Sequence, residues 1–178
     1  MTLWNLVLSG YPGSGKTMLA EKLVLENERF ARLCMDNLRR MLFNETYPCR
    51  DETQVFSILT TMRDLLLREG WSVVIDTTAP DDMIRTLLLD TKIQKVNSLL
   101  IVMKVARDTL MRRNRRAGHL NAVRVWDQYW RDPPLTLQAI RFKNNNTKEF
   151  ESSYRVLKWH MEHKVTKTHA GRAAVKKR

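Results

Sequence analysis

A glycine-rich loop near the start of the chain, GYPGSGKT at residues 10–17, constrains the fold more than any other feature. It matches the pattern G-x-x-x-x-G-K-[ST], with an apolar run before it and a string of helix formers after it. Glycines let the backbone turn so that successive N–H groups point at phosphate oxygens, and the following helix adds its positive end. The context therefore predicts a strand, loop and helix that bind a nucleoside triphosphate.

The side chains of this loop suit the chemistry of a bound triphosphate. Lys16 reaches the outer phosphates as a point charge, and the Thr17 hydroxyl is a ligand for magnesium. The remaining residues bring backbone N–H groups to the phosphates. The nucleotide-binding set predicted from the loop is Gly10, Gly13, Ser14, Gly15, Lys16 and Thr17.

Strand and helix patterns alternate after the loop. Apolar runs at 3–8, 31–35, 72–75 and 99–105 predict four strands. Helical patterns lie between them at 16–26, 51–69 and 80–90. Asp51 is the expected N-cap of the second helix, and Gly70 is its expected C-cap. Because strands that alternate with helices form a parallel sheet covered on both faces, we predict an α/β fold of four to five strands.

Strand patterns fade in the last part of the chain. Residues 108–116 and 122–130 predict helices, a Pro-Pro pair at 133–134 breaks the chain, and 144–146 is a polar loop. A final helix carries one apolar stripe, whose aromatic residues we expect in the core: Phe150, Tyr154, Leu157, Met161 and Val165. We predict a single domain over 1–167, with a lid at about 107–120 and a basic, mobile tail at 168–178.

The charge of the chain is unevenly distributed. The net charge is +12, yet residues 1–106 carry 13 basic and 13 acidic residues. Residues 107–178 carry 18 basic and 6 acidic residues, so the whole excess lies there. A basic half beside a neutral half predicts a polyanionic partner, DNA, contacted by one side of the molecule. The alternative is a solubilising tail, which does not explain the arginines at 107–131.

Several features indicate the compartment. No run approaches the roughly 18 apolar residues that a membrane-spanning helix needs. The start, MTLWNLVLSG, has no basic leader and predicts a first strand rather than a signal peptide. Cys34 and Cys49 lack metal-site spacing and the density of a disulfide scaffold. We therefore expect a cytoplasmic protein without a membrane partner, and nothing in the sequence indicates an obligate protein partner.

Two carboxylates follow predicted strands, at the edge where a parallel sheet binds its ligand. Asp36 can accept a proton from an attacking hydroxyl, and Arg39 follows about one helical turn later, so both can face one crevice. Alternatively, Asp36 only caps a helix and Arg39 lies on the surface. Asp76 closes the third strand, the usual place for a carboxylate that holds magnesium directly or through water. Thr77 and Thr78 then either bind substrate or cap the turn.

Five arginines lie within residues 107–116, after the fourth strand. On a helix, Arg112 and Arg116 share one face, whereas Arg113 and Arg115 point elsewhere. A solvated basic face has the same appearance. In a phosphate-loop fold, however, this is the position of a helical lid, whose arginines neutralise charge that develops on a transferred phosphoryl group.

Four motifs together resemble the polynucleotide kinase-like family of P-loop kinases: GYPGSGKT, D-N-L-R at 36–39, I-D-T-T at 75–78 and R-R-N-R-R-A-G at 112–118. The resemblance covers roughly residues 3–131. It implies an ATP-dependent kinase with an alcohol acceptor. ATP and Mg²⁺ are then the expected cofactors, served by Lys16 and Thr17. Asp36 is implied as the general base, Arg39 as the residue that steadies an acceptor phosphate, and Asp76 as support for the metal.

The resemblance also implies roles for the lid arginines. Arg113 is expected near the nucleotide, and a following arginine is expected to stabilise the transition state. The family often has its second lid arginine directly before the glycine, a place that Ala117 occupies here. Arg116 is the predicted residue for this role, and Arg115 is the alternative.

The acceptor is the least constrained part of the prediction. Phage end-healing polynucleotide kinases join their kinase to a phosphatase, which we do not expect here. A lone basic kinase of this size also resembles the phage enzymes that phosphorylate 5-hydroxymethyluracil in DNA, a step in thymidine hypermodification. We favour this base hydroxymethyl acceptor, which must be flipped out or approached in the groove. Aromatic residues at 126, 129 and 130 either stack on a base or belong to the core.

Three other functions remain open at this stage. The first is a polynucleotide 5′-hydroxyl kinase, and the second is a kinase of small metabolites or nucleotides. The third is a nucleic-acid-binding ATPase without phosphotransfer. The pairing of Asp36 with Arg39 and the arginine-rich lid argue against this last one, because an ATPase needs no acceptor site.

Overall fold

The computed structural model describes residues 2–119, 121–134 and 136–163. In these residues five strands form one sheet, and every neighbouring pair runs parallel. The strands are β1 (Leu3–Ser9), β2 (Phe30–Cys34), β3 (Ser72–Asp76), β4 (Val96–Lys104) and β5 (Ala139–Lys143). Their order is β2-β3-β1-β4-β5, so β1 is central and β2 and β5 are the edges. The predicted α/β fold is confirmed.

Helices connect the strands and cover the sheet. In the described part of the chain they are α1 (Lys16–Glu26), α2 (Met35–Phe43), α3 (Glu52–Arg68), α4 (Asp82–Leu89), α5 (Arg107–Arg116), α6 (Ala122–Asp127) and α7 (Thr147–His163). The predicted cap of α3 is present, because the Asp51 side chain accepts a hydrogen bond from the N–H of Gln54 at 2.9 Å. Gly70 follows the end of this helix with φ +79°, as a terminating glycine does.

Two apolar cores lie on opposite faces of the sheet. Strand β1 contributes to both, because Leu6 and Leu8 pack with α1 and α7, whereas Val7 packs with α2, α3 and α4. This alternation follows from the two-residue period of a strand. The aromatic residues Phe150 and Tyr154 are buried in the first core, as predicted for the final helix.

Two elements, strand β5 and helix α2, had no range predicted from the sequence, although the predicted four to five strands allow for β5. The sequence of β5, AIRFK, is short and carries two basic residues, and only Phe142 is buried. Such a pattern is typical of an edge strand, where charged side chains reach solvent and discourage pairing with other chains. The apolar periodicity that reveals a central strand is therefore weak here.

Helix boundaries differ from the predicted ones at two places. Helix α4 starts at Asp82 rather than at residue 80, because Asp81 serves as its N-cap and accepts a hydrogen bond from the N–H of Ile84. Helix α6 ends at Asp127 rather than at residue 130. Its apolar period continues to Trp130, but that ring packs on Tyr11 of the phosphate loop, at 4.8 Å between ring centroids.

Some predictions fall on parts of the chain that the structure does not describe. Val165, the tail at 168–178 and Leu120 of the proposed lid lie outside the described residues. The division into a 1–167 domain and a tail stays a prediction. None of the helices in the described ranges is long and apolar enough to cross a membrane.

Candidate active site

The phosphate loop lies between the end of β1 and the start of α1, as the sequence predicts. Gly13 and Gly15 have φ values of +75° and +92°, a region that residues with a Cβ rarely adopt. The Lys16 ammonium lies within the loop and donates to the carbonyl oxygens of Gly10, at 2.9 Å, and Tyr11, at 3.0 Å. The loop is therefore already folded around the lysine that would meet a phosphate.

Two asparagines hold the loop from outside. Asn114 of α5 donates to the carbonyl oxygen of Pro12 at 2.9 Å, and Asn144 after β5 donates to that of Ser14 at 2.8 Å. A Cβ at Gly13 would lie 2.6 Å from the Asn114 amide nitrogen, and one at Gly15 would clash with Asn144. The glycines are thus needed for these contacts as well as for the turn. The sequence analysis did not single out either asparagine, although Asn114 is the one neutral residue among the lid arginines.

The two residues predicted to support magnesium lie in contact. The Thr17 hydroxyl donates to Asp76 Oδ2 at 2.9 Å, across the gap between α1 and the end of β3. The same oxygen accepts bonds from Arg32 of β2, from Nε at 3.1 Å and from a terminal guanidinium nitrogen at 2.7 Å. Asp76 is 5% exposed, so Arg32 neutralises a buried carboxylate. Arg32 was missed because a single arginine in an edge strand looks like a solvent-facing residue.

The pair of Thr17 and Asp76 fits a magnesium ion that the triphosphate helps to hold. Magnesium takes hard oxygen ligands, keeps several waters and usually needs only one or two protein oxygens beside the phosphates. A group of three or more His, Cys, Asp or Glu side chains suited to a metal is absent from the described residues, so a cage made only of protein is not found there.

Asp36 and Arg39 lie together in the first turns of α2, as their spacing predicts. Arg39 donates to Asp36 Oδ1 at 2.6 Å and forms several bonds to Glu52 at 2.9–3.2 Å. The Arg39 side chain is 8% exposed, whereas that of Asp36 is 71% exposed. The helix N-cap is Cys34 and has no side-chain cap, so the alternative role of Asp36 as an N-cap is wrong. The alternative of a surface arginine is also wrong, because Arg39 is buried.

Lys16 connects the two carboxylate sites electrostatically. Burial lowers the pKa of its ammonium from the ordinary value, and the charges of Asp76 and Asp36 oppose that change. Both carboxylates therefore lie close enough to the phosphate loop to act on its lysine.

The lid arginines occupy two kinds of position. Arg113 bonds the carbonyl oxygens of Gly13, at 3.2 Å, and Asn144, at 2.9 Å, which places it beside the phosphate loop. Burial and the neighbouring Arg112 lower its pKa. The side chains of Arg115 and Arg116 are exposed and form no hydrogen bond or ion pair with the other described residues. Arg113 therefore lies at the phosphate loop, as predicted. That Arg116, or alternatively Arg115, stabilises the transition state stays a prediction.

A further arginine that the sequence analysis missed organises the other side of the loop. Arg85 is completely buried and bonds Ser9 Oγ at 3.2 Å and the carbonyl oxygens of Ala79 and Pro80 at 3.0 Å. Its guanidinium lies 4.9 Å from the centre of the Trp130 ring. Trp130 is therefore a structural contact of the loop region rather than a free stacking surface.

Tyr11 links the phosphate loop to α6. Its ring packs on Trp130, and its hydroxyl lies near enough to Asp127, at the end of α6, for that carboxylate to affect its pKa. Burial and this carboxylate raise the pKa of Tyr11 to about 12, so the hydroxyl stays protonated at neutral pH. Arg107 of α5 pairs with the same Asp127 at 2.7 Å. Helix α6 is thereby fixed next to the phosphate loop.

A parallel sheet with a phosphate loop after β1, and carboxylates where β2 and β3 end, defines the P-loop kinase class. The sequence matches the AAA domain family (AAA_33) over residues 6–129, most of the chain, and the chain belongs to that family. None of the curated proteins matches it.

Solved structures of kinases share the fold. The APS kinase CysC of Mycobacterium tuberculosis, in complex with AMPPNP and APS, is 19% identical with a TM-score of 0.65, and the match covers 88% of this chain and 95% of that chain. A gluconokinase from Sinorhizobium meliloti 1021 is 15% identical with a TM-score of 0.59, covering 89% and 97%. The predicted enzyme class, P-loop kinase, is confirmed by the family and the fold together.

A nucleic acid repair assembly is also among the similar structures. A chain of the Pnkp1/Rnl/Hen1 RNA repair complex is 17% identical with a TM-score of 0.58. The match covers 83% of this chain and 53% of that chain, so the present chain spans about half the length of that protein. Because the identities are low, these likenesses describe the fold and not the acceptor.

Proposed function

We propose that this protein is an ATP-dependent DNA kinase that transfers the γ-phosphoryl group of ATP to a hydroxyl on DNA. The favoured acceptor is the hydroxymethyl group of 5-hydroxymethyluracil. The observation that carries the kinase chemistry is the position of Asp36, an exposed carboxylate held by Arg39 at 2.6 Å and close enough to act on the charge of Lys16.

Every bond and proton that changes in the phosphoryl transfer can be assigned to a group at this site. The acceptor oxygen forms a bond to the γ-phosphorus, and the bond from that phosphorus to the bridging oxygen of ADP breaks, with its electron pair leaving on ADP. Asp36 takes the acceptor proton, as a positioned carboxylate can. Arg39 orients Asp36 and has guanidinium N–H groups left for an acceptor phosphate, because Glu52 and Asp36 engage only part of its five donors.

The phosphate side of the site supports the same reaction. Lys16 and the backbone N–H groups of residues 10–17 would hold the phosphates. Thr17 and Asp76 would bind Mg²⁺, which neutralises negative charge on the phosphates when it is bound. Arg113 would lie against the nucleotide, and Arg116 would reach the transferred group in the transition state, with Arg115 as the alternative.

The charge distribution supports a nucleic acid acceptor. Only part of the basic excess is neutralised by ion pairs, for example in the pair of Arg107 with Asp127. Arg115, Arg116 and Arg124 are exposed and form no ion pair in the described residues. Unpaired arginines on one side of the molecule attract a polyanion and make its binding dependent on salt.

The base hydroxymethyl acceptor is favoured by the aromatic residues next to Arg39 and by the resemblance of this basic kinase to the phage enzymes that phosphorylate 5-hydroxymethyluracil. Tyr47 packs on Trp126 with ring centroids 4.9 Å apart, and its ring also meets the Arg39 guanidinium at 5.1 Å. Thymine carries a methyl group without a nucleophilic oxygen, so a base acceptor must be hydroxylated first. Such an enzyme would work in the cytoplasm of a phage-infected bacterium.

A covalently closed circle of 5-hydroxymethyluracil DNA tests the proposal, because it has bases but no chain ends. We expect label from γ-³²P ATP to enter the circle. Ordinary thymine circles are the control and should stay unlabelled. Label on the 5′ ends of linear thymine DNA, without label on the closed circle, would contradict the base acceptor.

A polynucleotide 5′-hydroxyl kinase is the second candidate. It is favoured by the likeness to the Pnkp1/Rnl/Hen1 RNA repair complex. This enzyme would need a free terminus, so blocking every 5′ hydroxyl with phosphate would stop it. The base kinase would ignore the same block.

A small-metabolite kinase is the third candidate. It is favoured by the fold likeness to an APS kinase and a gluconokinase, whose full lengths this chain nearly covers. It accounts for the catalytic residues but gives the basic excess no role. Labelling of a mixture of nucleosides and polyols, with DNA unlabelled, would favour it.

A further inference from the structure

Three aromatic side chains from two separate segments meet next to the pair of Arg39 and Asp36. Tyr47, in the connection between α2 and α3, packs against Trp126 of α6 with ring centroids 4.9 Å apart and planes 32° apart. Tyr129, just after α6, meets the edge of Trp126 at 6.0 Å. We call Tyr47, Trp126 and Tyr129 the aromatic bridge. It connects the part of the chain that carries Asp36 with the helix that is fixed to the phosphate loop.

Only the Arg39 side chain separates Tyr47, at one end of the aromatic bridge, from Asp36, the proposed general base. The Arg39 guanidinium lies 5.1 Å from the centre of the Tyr47 ring, and the same guanidinium contacts Asp36 Oδ1 at 2.6 Å. A group that lies on the bridge is therefore beside the carboxylate that would take the acceptor proton.

The exposure of these rings differs from that of core aromatic residues. Tyr47 is 41% exposed and Tyr129 is 47% exposed, whereas Phe150 and Tyr154 in the core are less than 5% exposed. Single exposed aromatic residues are normal on a protein surface, but Tyr47 and Tyr129 both contact the partly buried Trp126 and form a contiguous aromatic group with it, which marks an interaction site. Trp130 does not belong to this group, because it packs between Tyr11 and Arg85.

The charge around the bridge favours a nucleotide over other ring compounds. Arg39 is the cation in contact with the bridge, 5.1 Å from the centre of the Tyr47 ring, whereas Arg124 lies two residues before Trp126 on α6 and so leaves a different face of that helix. An aromatic surface that stacks on a base, next to arginines that meet its phosphates, is the usual arrangement for binding unpaired nucleotides. A base flipped out of a duplex presents the same features.

We propose that the aromatic bridge is the subsite that binds the planar base of the acceptor nucleotide and so selects a ring-bearing alcohol over an acyclic one. The inference rests on the proposed kinase function and specifies the acceptor class of the same site. Tyr47 and Trp126 pack on each other, so together they would form the surface on which the base lies, and Tyr129 would border that surface. The base hydroxymethyl group would then lie toward Arg39 and Asp36.

Substitutions of the bridge test this subsite through the acceptor KM. Trp126→Ala should raise the KM for 5-hydroxymethyluracil DNA and for the free 5-hydroxymethyl-2′-deoxyuridine nucleoside by about tenfold or more, the size expected for loss of one stacked base. The KM for ATP should stay unchanged. Trp126→Phe should restore most of the loss because a flat ring is retained, and Tyr129→Leu offers a second, milder variant.

Trp159→Ala is the matched control. Trp159 is 60% exposed and stacks on His163 of α7, with ring centroids 4.7 Å apart. It should leave both acceptor KM values unchanged. Circular dichroism and the thermal midpoint of each variant verify that the fold is retained before kinetics are compared.

The outcomes separate this subsite from the wider function. If the nucleoside is phosphorylated with a KM sensitive to Trp126→Ala while DNA is not a substrate, the subsite stands and the DNA function fails. If DNA is phosphorylated and neither Trp126→Ala nor Tyr129→Leu changes its KM, the subsite fails and the function stands. If only acyclic polyols are phosphorylated, both fail.

Discussion

The Thr17 hydroxyl donates to Asp76 Oδ2 at 2.9 Å, although 59 residues separate the two in sequence. One residue opens α1 and the other closes β3, and the parallel pairing of β1 with β3 brings these ends to the same edge of the sheet. Arg32 from β2 completes the group by pairing with the same oxygen at 2.7 Å. The proposed magnesium site therefore contains a cation of the protein itself.

Removal of the Arg32 charge should make the protein bind magnesium more tightly. In Arg32→Gln the Asp76 carboxylate keeps its place at the end of β3 but no longer pairs with a guanidinium. A single charge at contact distance contributes about 1 kcal/mol in a water-like dielectric, so the Mg²⁺ needed for half-maximal activity should fall by a few fold. Titration of Mg²⁺ at fixed ATP measures this.

Arg29→Gln is the control for the magnesium prediction, because Arg29 lies near the start of β2, where it packs over Trp71 at 5.3 Å rather than on Asp76. It should leave the Mg²⁺ requirement unchanged. A requirement that rises in Arg32→Gln would contradict the prediction and would indicate that Arg32 serves mainly to orient Asp76.

Asp36→Asn should abolish transfer while ATP binding survives. Asparagine retains the shape of the side chain but cannot accept the acceptor proton, and loss of a general base lowers turnover by about 100- to 10,000-fold. Lys16→Ala should abolish transfer as well and should also weaken ATP binding. Single-turnover labelling and equilibrium nucleotide binding separate the two effects. Near-normal turnover in Asp36→Asn would exclude it as the base.

Arg116→Ala should lower kcat by about a thousandfold, the scale of an arginine that stabilises phosphoryl transfer, with little change in ATP binding. Arg115→Ala is the matched control, since both arginines are exposed at the end of α5. Steady-state kinetics with saturating ATP distinguish them. The reverse result, with Arg115→Ala as the severe variant, would assign the role to Arg115.

Glu52→Gln should destabilise the fold at neutral pH. Burial raises the pKa of Glu52, but bonds from Arg39 and from the N–H of Cys49 outweigh it, so the net shift is downward. The Glu52 carboxylate therefore stabilises the folded protein in full above the pKa of the unfolded chain, which is about 4.5. This contribution to the free energy of unfolding is lost as pH falls through the lower pKa of Glu52 in the folded protein. Hydrogen bonds to charged groups contribute about 1.5–3 kcal/mol, which Glu52→Gln should lose at pH 7.

Urea unfolding between pH 3 and pH 7 measures the contribution of Glu52. The free energy of unfolding should fall less steeply with acid in Glu52→Gln than in the wild type. Glu45→Gln is the control, because the pair of Glu45 and Arg50 is on the surface and such pairs contribute little. Parallel acid curves for wild type and Glu52→Gln would contradict the prediction.

Binding to DNA should weaken steeply with salt. Counterion release gives a log–log slope of about −0.9 for each phosphate contacted on duplex DNA. Arg124→Ala should make the slope less steep by about 0.9, the value of one phosphate contact. Arg29→Ala, in the neutral half of the chain, should leave the slope unchanged. Fluorescence anisotropy over a range of salt measures both. A slope near zero in the wild type would remove the main support for a DNA substrate.

Local sequence alone determined the conformation of the phosphate loop and the contact between Asp36 and Arg39. The glycines at 13 and 15, the lysine at 16 and the threonine at 17 act within one turn of chain, so their spacing alone predicts their geometry. The same is true of Asp36 and Arg39, which lie one helical turn apart and contact each other. Central strands were found because burial on both faces makes them continuously apolar.

Tertiary structure decided which distant residues complete the site. Arg32 and Asn144 approach the predicted residues because parallel pairing brings β2 beside the end of β3 and the loop after β5 to the phosphate loop. Glu52 and Tyr47 reach Arg39 because the connection after α2 turns back so that α3 packs on α2. Strand β5, which presents Asn144, was hidden because an edge strand buries little apolar surface. Pairing across a sheet depends on contacts between segments far apart in sequence, and no local pattern of residues records those contacts.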